Sequence, residues 1–127
     1  METLPTWMRR TLFVTGGMNI VAATGFLPSA RFARVAAGLP EDAPSVYLLT
    51  IGMFVLLFGA GYLWTAASGR AERLFIALSA VGKLTFVGLL TTLWATGTLS
   101  VRAPIAGAPD LVFALLFFAW LVGGSRA

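Results

Sequence analysis

The stretch from Arg73 to Gly97 constrains this chain more than any other. Its 25 residues hold one ionisable group, Lys83, after the initial Arg73. An apolar run of that length matches the thickness of a bilayer when it is helical. A lysine near the middle of such a helix costs roughly 2.5–3.5 kcal/mol on insertion scales unless a partner or a polar cavity offsets it. The expectation is therefore an integral membrane protein whose helices must supply something to meet a cation.

Composition agrees. Hydrophobic residues make up 58% of the 127 and charged residues 11%. A soluble domain of this size cannot bury that much apolar surface, so lipid is the expected solvent and partner. The formal charge of +4 is carried almost entirely by arginine. The arginines stand in ones and twos at the ends of apolar runs, which fits anionic headgroups and argues against nucleic acid. There is no cysteine and no histidine. That excludes disulfides, Cys/His zinc sites, Fe–S clusters and His-ligated haem, and it removes the commonest general base. No cofactor and no metal site are expected, and an enzyme acting alone is disfavoured.

Taken in order, the chain reads as one transmembrane domain of four spans. Met8-Arg9-Arg10, followed by an apolar run that ends in Leu27-Pro28-Ser29-Ala30, imitates a secretory signal. It is read as a retained first span, about 7–27, with a basic anchor. Thr15, Gly16, Asn19, Ala22 and Ala23 form a small, polar face on it. Asn19 suits a hydrogen bond between packed helices, with a ligand or proton contact as the alternative. The connector 28–44 allows a short interfacial helix, with Phe32, Val35 and Leu39 to one side and its arginines toward water. It is read as a plain linker, with a covering lid as the alternative.

Span two, about 45–67, carries Gly52 and Gly59 on one face for close packing. Tyr62 and Trp64 fit an interfacial belt at its end. A tight turn then leads into span three, about 73–97, where Ser79, Lys83, Phe86 and Leu90 share a face. Gly82 is assigned to helix packing with Gly16, Gly52 and Gly59. Span four is placed at about 109–124, with Pro109 as first helical residue and Asp110 in the first turn. The fold class is an all-α, four-helix membrane bundle of antiparallel hairpins, with both termini on one side. Arg9, Arg10, Arg70, Arg73 and Arg126 assign that side to the cytoplasm.

Depth arithmetic joins two charges. Lys83 lies ten residues beyond Arg73, about 15 Å above the boundary at 1.5 Å per residue. Asp110 lies fourteen residues before Gly124, about 21 Å above the same boundary. An extended lysine spans the difference, so a Lys83–Asp110 ion pair is expected. It either fixes the packing of spans three and four or lines a functional cavity. Asn19 and Tyr62 complete the candidate intramembrane polar site.

The run Gly59-Ala60-Gly61-Tyr62-Leu63, then Arg73, Val81-Gly82-Lys83 and Asp110-Leu111, resembles a group of small four-span bacterial inner-membrane proteins. Their pattern reads G-x-G-Y-L, a polar turn with arginine, G-K and D-L. The group is broadly similar to the four-helix DoxX-like proteins, some of which partner quinone-linked oxidoreductases. The resemblance implies a location in the bacterial cytoplasmic membrane. Here the turn is Ser68-Gly69, without the Asp-Pro and histidine usual in the group.

Two functional expectations follow. The first is a non-catalytic accessory subunit packing into a larger membrane complex or against itself. The aromatic residues Phe113, Phe117, Phe118 and Trp120 would offer it a surface. The alternative is a binder or carrier of a small hydrophobic molecule, a quinone or lipid, in a cavity of several hundred Å³ beside Lys83. A proton-coupled transporter ranks below both.

Overall fold

A computed structural model of the chain describes residues 2–123. It is all-helical, with four long helices and a short one: α1 (Thr6–Thr24), α2 (Arg31–Ala36), α3 (Ser45–Ser68), α4 (Arg73–Ala95) and α5 (Arg102–Val122). Three of these, α3, α4 and α5, are long and apolar enough to cross a membrane. The end assigned to span four and the tail with Arg126 lie outside the described residues.

Two prolines start two of the helices. Pro5 and Pro44 hold extended backbone immediately before α1 and α3 and lack the N–H that a helix start leaves unpaired. Gly69 stops α3 in the left-handed region, at φ +70°, and its N–H donates to the Thr65 carbonyl at 3.0 Å. A side chain would be strained there, which is why glycine ends this helix.

The helices pack as two antiparallel pairs, α1 with α3 and α4 with α5, and the pairs meet mainly through α1 and α5. The start of α1, the turn 69–72 and the end of α5 come together at one end. There the Leu4 N–H donates to the Gly69 carbonyl at 2.8 Å and the Ala71 N–H to the Glu2 carbonyl at 3.2 Å. The buried core lies at this end, built from Leu4, Met8, Leu12, Tyr62, Ile76, Phe117 and Trp120 with Ala66 and Ala80.

In lipid the hydrophobic effect does not drive helices together, so close packing and hydrogen bonds must. The α1–α3 contact shows how. A Cβ on Gly59 would stand 3.0 Å from Asn19 Cβ and 3.1 Å from the Gly16 carbonyl oxygen. Asn19 Nδ2–H donates across the same contact to the Val55 carbonyl at 3.1 Å. Gly52 sits similarly, its Cβ position 3.2 Å from Phe26 Cβ. Gly82 departs from the expectation: nothing lies within 4 Å of where its Cβ would be, so it packs against no helix.

Three further expectations are corrected. First, α5 begins at Arg102, and Pro109 lies inside it. Proline removes one helical hydrogen bond and disfavours this position. The upstream turns are held by packing instead, with Ala103 and Gly107 buried and the Gly107 Cβ position 3.0 Å from Leu90 Cδ1. Asp110 is therefore beyond the first turn, too far along to interact with the helix start. Second, Tyr62, Phe117 and Trp120 are buried, so Tyr62 is no belt residue and the aromatic face of α5 points largely inward. Third, Arg34 on α2 does not face water: it is only 3% exposed, while Arg31 stays on the outside.

The Arg34 guanidinium donates to four backbone carbonyls: Gly25 at 3.0 Å, Leu27 at 2.6 Å, Pro28 at 3.1 Å and Glu41 at 3.0 Å and 3.2 Å. Three of these lie just past the end of α1, where carbonyls lack helical donors and the helix dipole favours a cation. The nearby Arg31–Asp42 pair, at 2.9 Å, is largely exposed and contributes little.

Two outcomes follow from this packing. Gly59→Val should destabilise the protein by about 1–3 kcal/mol through overpacking, whereas Gly82→Ala should be neutral or stabilising; thermal unfolding in detergent reads both. Arg34→Lys cannot reproduce a planar five-donor fork, so hydrogen exchange should accelerate across residues 25–42 and leave α4 unchanged.

Candidate functional site

The site is built where the end core stops. On α4, Ser79 and Lys83 follow one another at helical spacing on the inward face and are both buried. On α5, one further turn beyond the buried Gly107 brings Asp110 level with Lys83. Lys83 Nζ–H donates to Asp110 Oδ1 at 2.6 Å, and the side chains are 8% and 30% exposed. The ion pair expected from depth arithmetic is present.

Aromatic faces complete the lysine's surroundings. Nζ lies 5.3 Å from the centre of the Tyr62 ring and 5.7 Å from that of Phe113. A cation over an aromatic face is attracted by the ring quadrupole, more strongly where water is scarce. Tyr62 is fixed from three sides, with ring centres 6.3 Å from Phe58, 5.4 Å from Phe75 and 5.8 Å from Phe117. The Ser79 hydroxyl donates back to the Phe75 carbonyl at 2.7 Å. Thr85, Thr91 and Thr92 make the same i−4 bonds on the exposed side of α4, as hydroxyls in membrane helices do.

Beside the pair lies a cleft of about 300 Å³. All four residues of the candidate polar site, Asn19, Tyr62, Lys83 and Asp110, line it. Its other walls are apolar, with Phe26 from beyond α1, Ile51, Phe54, Val55 and Phe58 from α3, and Leu78 and Phe86 from α4. Gly82 also lines it. The absence of a side chain there widens the cleft rather than tightening a helix contact.

A few polar groups, with Lys83, Asp110 and Tyr62 in mutual contact, stand in an otherwise apolar and aromatic lining, the composition of a small-molecule site. Donor capacity is left over, since an ammonium has three N–H groups and Asp110 receives one. No group of three acidic, His or Cys residues placed to hold a metal occurs among the described residues.

Ser79 and the phenylalanine walls were not singled out as site residues by sequence. A signal for the walls existed: Ile51, Phe54, Phe58 and Tyr62 recur at steps of three and four, so they share one face of α3. No protein-family model, no curated protein and no solved structure matches the chain. The likeness to small four-span bacterial proteins thus rests on the motif residues alone.

Removing one member of the pair leaves the other charge unmatched. Lys83→Met or Asp110→Leu alone should cost about 1–3 kcal/mol, below the cost for fully buried pairs because Asp110 keeps some exposure. The double variant should recover most of that loss, a coupling that a double-mutant cycle in detergent unfolding measures.

Proposed function

We propose that this chain spans a membrane four times and binds a small, mostly apolar molecule of quinone or lipid type in the cleft beside Lys83. The observation that carries the reading is the cleft itself: a mainly apolar, aromatic lining that includes the Lys83–Asp110 pair, Tyr62 and Asn19. On this reading α1 is the fourth span. It runs antiparallel to α3, and the Arg9 Nε–H donates to the Ala66 carbonyl at the end of α3 at 2.9 Å.

The arginine distribution supports placing the core end toward the cytoplasm of a bacterium. Arg9, Arg10, Arg70 and Arg73 all belong to that end, and a positive bias marks the cytoplasmic side. The accessory-subunit reading ranks second because the aromatic surface it relied on is largely internal, Phe117 and Trp120 being fully buried. Binding, rather than catalysis, suits a lysine already matched by a carboxylate.

The test fills the cleft without touching its charges. Gly82→Leu projects into open space, so the protein should fold and keep the thermal stability of the parent. Native mass spectrometry from nanodiscs should find a small molecule on the parent and none on Gly82→Leu. An empty parent, or equal occupancy in both, contradicts the reading.

A further inference from the structure

We infer that the cleft takes an electrically neutral molecule whose polar end is a hydroxyl or carbonyl, admitted sideways from the bilayer between α3 and α4. The inference rests on reading the cleft as a binding site and adds the class of molecule and its route.

The route follows from how the helices diverge. α1 packs closely on α3, α5 on α4, and α1 also meets α5, whereas α3 and α4, joined by the turn 69–72, are not among the closely packed pairs. They touch through rings near the turn, Phe58 stacking on Phe75 with centres 5.7 Å apart. Past that stack the two helices are separated by the cleft. Lining residues on both helices are exposed to the outside, with Phe54 of α3 54% and Leu78 of α4 59% exposed. In a bilayer an apolar opening of this kind faces acyl chains rather than water.

The class follows from charge and hydrogen bonding. Among the residues lining the cleft, Lys83 and Asp110 are the charged ones, and they cancel. A charged ligand would place an unmatched unit charge in a site of low polarity, which is costly. A neutral polar end avoids that cost and still finds partners. Lysine N–H groups beyond the one given to Asp110 can donate, as can the second N–H of Asn19, and the carboxylate accepts more than one bond. A hydroxyl matches both kinds of group and a carbonyl matches the donors.

The volume limits what enters. About 300 Å³ stands at the lower limit of small-molecule sites, room for a polar end and a short apolar part or ring, with any remaining tail in the bilayer.

Photoactivatable twelve-carbon probes that share one tail and differ in head test this: an alcohol, a sulfonate and a trimethylammonium, the last two permanently charged. Each is crosslinked to the protein in nanodiscs, and labelling of cleft residues is divided by labelling of the outer faces of α3 and α4. The alcohol should exceed both charged probes by about tenfold in this ratio. Asp110→Asn leaves a net cation and should shift preference to the sulfonate; Lys83→Met leaves a net anion and should shift it to the trimethylammonium. If either variant fails to fold, the order of heads on the parent protein alone decides. A charged probe that matches or exceeds the alcohol on the parent overturns the inferred class while leaving the binding reading intact. No enrichment of any probe in the cleft overturns both.

Discussion

A single ion pair sets the plan of the inner half of this molecule. Lys83 and Asp110 meet at 2.6 Å, an arrangement that lets a lysine stand mid-helix in an apolar span without a large cost. The pair fastens α4 to α5 at that level. It also marks a boundary. Toward the turn 69–72, side chains fill the space between the helix pairs and Trp120, Phe117 and Met8 are fully buried. Beside the pair, between α3 and α4, the space is left open and becomes the cleft. Aromatic faces around the ammonium and the neutrality of the pair make that part of the lining polar without making it charged.

The helix ends are secured by arginines. Arg9 donates to the Ala66 carbonyl at the end of α3, Arg34 to carbonyls following α1, and Arg73 to the Leu121 carbonyl at the end of α5, at 3.1 Å. Arg73 also lies over the Trp120 ring, 5.4 Å from its centre. Each places positive charge where a helix has unpaired carbonyls and a partial negative charge. A bilayer offers no hydrophobic drive between helices, so fixing the ends in this way lets the middle of the α3–α4 face stay unpacked.

Much of this was legible in the residues. Apolar length and interrupting prolines and glycines located the helices, and counting residues from shared boundaries was enough to pair Lys83 with Asp110. The same count survived an error in α5, because it ran back from the helix end and did not depend on where the helix begins. That beginning was misread because Pro109 is a good helix starter by local preference, while packing of Ala103 and Gly107 carries the helix two turns further back. Gly82 was misread because a glycine between packed helices and a glycine beside a cavity look alike in sequence; only the neighbour, or its absence, separates them. Arg34 was placed toward water on charge alone. Its burial depends on carbonyls left over past α1, which become visible as a demand only once the chain path is known. Tyr62 was assigned to the interfacial belt and Trp120 to a partner-facing surface because amphipathic rings serve interfaces and the core alike.

Lys83 is the sole lysine of the chain and Asp110 one of two aspartates, so isotope labels address the pair with little ambiguity. The other aspartate, Asp42, is engaged with Arg31 in the exposed 28–44 segment. The deciding measurement is solid-state NMR dipolar recoupling in lipid bilayers, between nitrogen-labelled lysine and carboxylate-carbon-labelled aspartate. The structure predicts strong dephasing, from an Nζ to carboxylate-carbon distance of about 3.5 Å, the separation of a charge-assisted hydrogen bond. Absence of dephasing would mean that Lys83 and Asp110 stand apart in the membrane. The neutral polar lining of the cleft, and the account of ligand class built on it, would then be wrong.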